Sequence, residues 1–261
     1  VVTVALLTEN NDVKDEEYRY VVAKELSEGQ SMFLYMSESA DSLASCCRLR
    51  NELTDNTFSY SLGAGGVSTG SINVITMNIN RLVQQDLSIE EQVKKIHKYQ
   101  AAYHAIIKDY YDHGLLPAYT SGFISLEKQF LTIGVNGLVE AAESKGISIA
   151  DSKEYNEFVD GILYPIFEQN KLAKEKYGIM FNTEFVPAEN LGVKNSKWDK
   201  ADNLKVNRDC YNSYFYLVES EKTNPIDKFI LHGEKYTKYL DGGSALHLNL
   251  DEHLDVEQYM Q

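Results

Sequence analysis

The chain has 261 residues, 43% of them apolar and 25% charged, which is enough apolar content to bury a sizeable core and too much for a disordered chain. Lys and Arg total 25 against 39 Asp and Glu, a formal net charge of −14, and so acidic a surface repels a phosphate backbone, arguing against direct nucleic-acid binding. No apolar run reaches the roughly 18 residues of a membrane-spanning helix, and no basic-then-apolar leader is visible.

Val1-Val2-Thr3-Val4-Ala5-Leu6-Leu7 reads as a buried strand from its first residue, and a bare strand at a terminus suggests a piece of something larger. Asp15 starts an acidic helix running to about Glu28, and Met32-Phe33-Leu34-Tyr35-Met36 reads as a second strand. Strand, helix and strand in that order make a βαβ-like unit with parallel pairing. Residues 37–70 lose periodicity and hold Ser39, Ser42, Ser45, a vicinal cysteine pair and the glycines Gly63, Gly65, Gly66 and Gly70. A loop of that length inside a compact domain is functional or disordered. Ile72-Asn73-Val74-Ile75-Thr76 resumes strand character.

Ser88 with Glu91 forms a capping box for a long helix to Gly114, with Ile89, Val93, Ile96, Tyr103, Ile107 and Tyr110 on one apolar face. A further helix is expected from about Leu126 to Ser144, stopped by Gly146, and a third from Asp151, with Glu154 as capping partner, to near Gly178. Met180 to Val186 reads as a strand, and Pro187 suits the first turn of a helix. Phe215-Tyr216-Leu217-Val218 and Ala245-Leu246-His247-Leu248-Asn249-Leu250 are expected strands. With no internal repeat, low-complexity segment or linker, the reading is one mixed α/β domain over residues 1–261.

Cys46, Cys47 and Cys210 suit neither an ordinary disulfide framework nor a four-ligand zinc site, which points to a reducing cytoplasm. Ser45-Cys46-Cys47-Arg48-Leu49-Arg50 has two readings: small hydrophobes in a loop, or thiols made reactive by the field of Arg48 and Arg50. Pro187-Ala188-Glu189-Asn190 is either an ordinary proline-started helix with an acidic first turn or a helix N-terminus that holds phosphate on its free N–H groups. The glycines around Gly63 and Gly70 lack a phosphate-loop or dinucleotide spacing. Glycines in Thr132-Ile133-Gly134-Val135-Asn136-Gly137 interrupt the expected helix, as close backbone approach would require. Asp241-Gly242-Gly243-Ser244 reads as a tight turn, His247 as a core histidine and Cys210 as a buried small hydrophobe.

Asp41-Ser42-Leu43-Ala44-Ser45-Cys46-Cys47-Arg48-Leu49 resembles the active-site loop of anaerobic (class III) ribonucleotide reductases. The resemblance continues through Gly70-Ser71-Ile72-Asn73-Val74-Ile75-Thr76-Met77-Asn78-Ile79-Asn80-Arg81, and returns at residues 132–137, 187–190 and 241–244, in family order over nearly the whole chain. It implies part of a ten-stranded α/β barrel with a cysteine finger loop inserted through its middle. A thiyl radical on that loop abstracts the ribose 3′-hydrogen of a ribonucleotide. The family's radical cysteine stands directly before an arginine, which matches Cys47-Arg48, with Cys46 as its neighbour. Ser45, Ser71, Pro187, Ala188 and Asn190 are then expected to contact substrate, the last three through its phosphates, and Glu189 to serve as an acid–base group. Where some family members have asparagine near Ser71, this chain has serine.

The family's glycyl-radical motif and four-cysteine zinc module have no counterpart here, and neither has its regulatory N-terminal part. The chain is therefore expected to be the central and second-half barrel portion of a cytoplasmic enzyme, inactive alone, with no cofactor or metal of its own. The resemblance implies that the complete enzyme uses a glycyl radical installed by an S-adenosylmethionine/iron–sulfur activase, a structural zinc, ATP and deoxynucleotide effectors, and a homodimeric assembly. Alternatives are another glycyl-radical enzyme of the same barrel fold, or a non-catalytic binding or scaffold fragment.

Overall fold

The computed structural model describes residues 2–10, 12–38, 42–44, 50–52, 70–186, 189–219, 223–247 and 253–261. It falls into two compact units, one of residues 1–60 with 249–261 and the other of residues 61–248.

The smaller unit is the expected βαβ. Strand β1 (Val2–Glu9) pairs antiparallel with the short β2 (Asp12–Val13) and parallel with β3 (Met32–Ser37). Helix α1 (Glu16–Ser27) makes the crossover and begins as the sequence predicts, with the Asp15 carboxylate accepting the Tyr18 N–H at 2.9 Å. Val4, Leu6 and Val22 form its small core. Within the aperiodic stretch, β4 (Ser42–Ala44) and β5 (Arg50–Glu52) pair antiparallel, Ala44 opposite Arg50.

The larger unit is built on a parallel sheet in the order β6-β7-β8: β6 (Gly70–Asn78), β7 (Gln129–Asn136) and β8 (Met180–Glu184). Helices α2 (Ile79–Gln84), α3 (Ile89–Asp112) and the single turn α4 (Pro117–Thr120) connect β6 to β7. Helices α5 (Leu138–Ser144) and α6 (Lys153–Tyr177) connect β7 to β8. Helices α7 (Glu189–Ala201), α8 (Pro225–Leu231) and α9 (Glu234–Thr237) follow. Among the described residues no helix is long and apolar enough to cross a membrane.

One expected helix is a strand. Residues 129–136 form β7, the middle strand of the sheet, after a 3-10 turn at Leu126–Lys128, and only 138–144 is helical. A central parallel strand is covered on both sides and loses the alternation that marks a half-exposed one, so its run of small and apolar residues reads equally as helix. Gly134 is there for close approach: a Cβ on it would stand 2.3 Å from Thr76 Oγ1 and 2.9 Å from Val186 Cγ2. Gly137 turns the chain from strand into α5 at φ +80°, a conformation glycine adopts without strain.

Other boundaries shift. Ser152, not Asp151, caps α6 by accepting the Tyr155 N–H at 3.2 Å, while Asp151 accepts from Asn156 and Lys235. Strand β8 stops at Glu184 rather than Val186. Residues 215–218 are not a strand, because side chains satisfy their backbone. Tyr155 donates to the Phe215 carbonyl at 2.6 Å and Asn212 Nδ2 to that of Tyr216 at 3.0 Å, leaving Phe215 and Tyr216 as core plugs. Residues 245–247 are not a strand either, held instead by the Tyr216 hydroxyl on the His247 N–H and carbonyl; residues 248–250 lie outside the described residues.

Candidate functional site

The two faces of the sheet differ. Leu131, Ile133 and Val135 of β7 point to the helices, where they are fully buried. Two polar ties pin that side: Gln100 Nε2 donates to the Thr132 carbonyl at 2.8 Å, and Asn170 of α6 bonds both His97 and Thr183. The alternate residues make the other face. The pairing register aligns Val74, Thr132 and Asn182 in one row, and Thr76, Gly134 and Glu184 in the next. Asn78 and Asn136 follow at the strand ends. Thr132, Asn136, Asn182 and Glu184 are all buried, and a buried polar row on a parallel sheet is retained only where its groups find partners.

At the carboxyl ends of β6 and β7 lies α7. Its Asp199, completely buried, accepts from Asn78 Nδ2 at 3.0 Å, Asn80 Nδ2 at 3.1 Å, Arg81 Nε at 2.8 Å and the Tyr211 hydroxyl at 2.7 Å. Burial beside this carboxylate pushes the Tyr211 phenol well up, keeping it a neutral donor. One turn earlier, Asn195 Nδ2 donates to Asn136 Oδ1 at 2.7 Å, and Asn136 Nδ2 in turn reaches the Tyr211 and Asn212 carbonyls. Thr76, Asn78, Arg81, Asn195, half-exposed Trp198 and Asp202 line an open cleft of about 530 Å³ there. Carboxyl ends of parallel strands are where such sheets place ligands.

The Asp241-Gly242-Gly243 turn, as the sequence predicts, docks on the free edge of β8. The Asp241 carboxylate accepts the Thr183 N–H at 2.8 Å, the Gly242 N–H donates to the Thr183 carbonyl at 2.8 Å, and Gly243 bridges Glu184 in parallel sense. Asp241 has an exposed outer surface, but its carboxyl is packed against β8, and burial pushes it up to about 6.

Of the residues expected to act, Ser45, Cys46, Cys47, Pro187 and Ala188 lie outside the described residues; β4 and β5 bracket positions 45–49. Glu189 opens α7, and Asn190 is exposed in its first turn. Ser71 is on β6, its hydroxyl 2.7 Å from Thr132 Oγ1. Two expectations are corrected. Cys210 is exposed rather than buried, in a loop ordered by its neighbours Arg208 and Tyr211. His247 is exposed rather than in the core, because its backbone, not its ring, is what Tyr216 fixes. Sequence reasoning assigned no role to Thr132, Asn182, Asp199 or Tyr211. The available signal was an asparagine closing each of two strands just before a helix, at Asn78 and Asn136.

Among the described residues no three His, Cys, Asp or Glu side chains come together to hold a metal ion, so the zinc implied by the resemblance has no fit there. A mixed α/β unit with a parallel sheet, helices on one face and buried polar groups on the other belongs to the class of folds that places ligands at the carboxyl ends of its strands. The model of the family described as anaerobic ribonucleoside-triphosphate reductase matches residues 2–261, and the chain belongs to that family. Solved structures of the anaerobic ribonucleotide reductase from Thermotoga maritima are similar to it. One, with glycerol in the active site, is 29% identical with a TM-score of 0.80 and aligns over 100% of this chain and 45% of that one. Another, in complex with dATP and CTP, is 29% identical with a TM-score of 0.81, over 100% and 44% of the two chains. A third, described as an anaerobic ribonucleotide reductase, is 26% identical with a TM-score of 0.82, over 100% and 43%. The chain thus spans less than half the length of these structures. No curated protein matches it.

Proposed function

We propose that this chain is the catalytic-barrel portion of an enzyme that reduces ribonucleoside triphosphates to deoxyribonucleotides without oxygen. The observation that carries the reading is the family match along residues 2–261, which takes in Cys47-Arg48 between the paired strands β4 and β5. In this reading residues 1–261 form one region of a ten-stranded barrel, with the cysteine loop as its finger. A thiyl radical on Cys47 takes the ribose 3′-hydrogen, breaking the C3′–H bond and forming S–H, which demands a loop that holds sulfur at contact distance. Cys46 flanks it, Ser45 and Ser71 face the ribose, and Glu189 exchanges protons with it. Ala188 and Asn190 present helix N–H groups to the phosphates and Pro187, which has no N–H, contacts them while setting the first helical turn, a positive pole suited to drawing an anion to an acidic protein. The glycyl radical installed by an S-adenosylmethionine/iron–sulfur activase would generate the thiyl by taking the Cys47 thiol hydrogen. A two-electron reductant would supply the electrons that replace the 2′-hydroxyl, lost as water, by hydrogen, and the remaining reductase, a second copy, zinc and nucleotide effectors would complete the assembly in the cytoplasm.

In the complete enzyme, Cys47→Ser should abolish deoxyribonucleotide formation while nucleotide binding stays near normal. An active Cys47→Ser with a dead Cys46→Ser would overturn the assignment. Ala188→Leu should crowd the phosphate donors and weaken nucleotide binding; affinity equal to wild type would remove the phosphate site from the reading. Absence of any ribonucleotide binding would favour a glycyl-radical enzyme acting on another substrate.

A further inference from the structure

Three hydroxyl and amide groups cross the polar face in a line. Ser71 Oγ stands 2.7 Å from Thr132 Oγ1, and Thr132 Oγ1 stands 2.7 Å from Asn182 Oδ1. A carbonyl oxygen has no hydrogen to give, so the Thr132 proton belongs to the bond with Asn182. The remaining hydrogen in the Ser71–Thr132 contact is then that of Ser71. Its alternative acceptor, the Asn73 carbonyl at 3.2 Å, is also internal. With its hydrogen engaged in either of these internal bonds, Ser71 offers lone pairs outward.

The strand is shaped for this. Between Ser71 and Asn73 the register of β6 against β7 slips, a bulge of the kind that re-aims side chains beside active sites. Ser71 is exposed while Thr132 and Asn182 are completely buried, and Asn182 Nδ2, buried on the same row, has no hydrogen-bond partner among the described residues. The row therefore ends in a committed acceptor at one side and an unused donor at the other.

We propose that Thr132 and Asn182 are positioning residues that make Ser71 a hydrogen-bond acceptor, selective for a ligand that brings a hydroxyl hydrogen to the sheet. The inference rests on the proposed function, in which that hydroxyl belongs to the ribose. It gives a role to serine near a place where some members of the family have an asparagine: an amide offers both a donor and an acceptor, whereas this serine, bonded internally, offers one sign.

The test is titration calorimetry of the complete enzyme, of which this chain is a portion, with CTP, 2′-deoxy-CTP and 3′-deoxy-CTP. Wild type should bind CTP roughly tenfold more tightly than at least one deoxy analogue, the scale of one buried hydrogen bond. Thr132→Val, nearly the same shape without the relay, should lose that preference while still binding triphosphates, and Thr132→Ser should keep it. Ser71→Ala, at an exposed position where folding is not at stake, should lose it too. Preference retained in full by Thr132→Val or Ser71→Ala, or absent from wild type that binds all three equally, overturns the relay alone. A wild type that binds no nucleotide overturns the substrate reading itself and the relay with it.

Discussion

Strand β7 sends alternate residues to the two faces of the β6-β7-β8 sheet, and the two faces do different things. Leu131, Ile133 and Val135 go to the helices and are fully buried, which is the ordinary way for such a sheet to gain stability. Thr132, Gly134 and Asn136 go to the other side, where hydrogen bonds and close approach replace apolar contact. The first face is generic, since any well-packed hydrophobes would serve it. The second is specific, because the polar groups there are satisfied only by particular partner geometries, and Asn182 Nδ2 is left without one among the described residues. A protein that spends a buried central strand on hydroxyls and amides gives up apolar burial, and the site is where that loss has a return.

Substitutions at the two faces should separate these roles. The largest effect is expected from Asp199→Ala, which leaves the Asn78, Asn80, Arg81 and Tyr211 donors facing an emptied buried position; a loss of about 3–5 kcal/mol follows from removing one partner of a buried charged network. Urea denaturation measures it, and a loss below about 1 kcal/mol would mean that the hydrogen-bond network around Asp199 is dispensable. Ile133→Ala on the helix-covered face should cost about 3 kcal/mol through transfer and cavity terms, with nucleotide affinity unchanged in the molecules that remain folded; a selective loss of affinity would blur the division between the faces. Gly134→Ala should cost roughly 1–3 kcal/mol by overpacking, since its methyl would meet Thr76 and Val186. Here the damage should reach binding as well, because Thr76 lines the cleft.

The smallest effect concerns pH. Burial lowers the His97 pKa below its ordinary 6.5, only partly offset by the bond to Asn170. The unfolded chain therefore binds the proton more readily than the folded one. This contribution to stability is full above pH 6.5 and is lost as the pH falls from there toward the folded-state value. Thermal melts should show wild type falling below His97→Gln's own trend over that window. Parallel trends would mean that the ring binds its proton equally well in the folded and unfolded states.

Periodicity and capping made much of the frame legible. Asp15, Ser88 and Gly178 mark helix ends where the structure has them, because a cap is a local bond between a side chain and the nearest N–H groups, or a local left-handed turn. The βαβ unit followed from strand, helix and strand in close order. Strand β7 was not legible, since its neighbours on both sides arrive from residues 70–78 and 180–184, and burial on two faces erases the alternation by which a strand is read. Residues 215–218 failed for the opposite reason. They have strand composition, but side chains from Tyr155 and Asn212 take the carbonyls that a neighbouring strand would have bonded.

The sequence by itself determined the family and the candidate chemistry. Cys47-Arg48, the run from Gly70 to Arg81 and the later short motifs are linear signals, and their order along the chain carries them. What tertiary structure decided is which of these residues share a surface. Ser71, Thr132 and Asn182 lie far apart in the chain and become one hydrogen-bonded row because three parallel strands fix their register. Asp199 gains its meaning in the same way, from asparagines and a tyrosine brought to it by strand ends and a loop. A hydrogen bond has a direction and a length as well as a residue type, and those two properties exist only once the backbone has been placed.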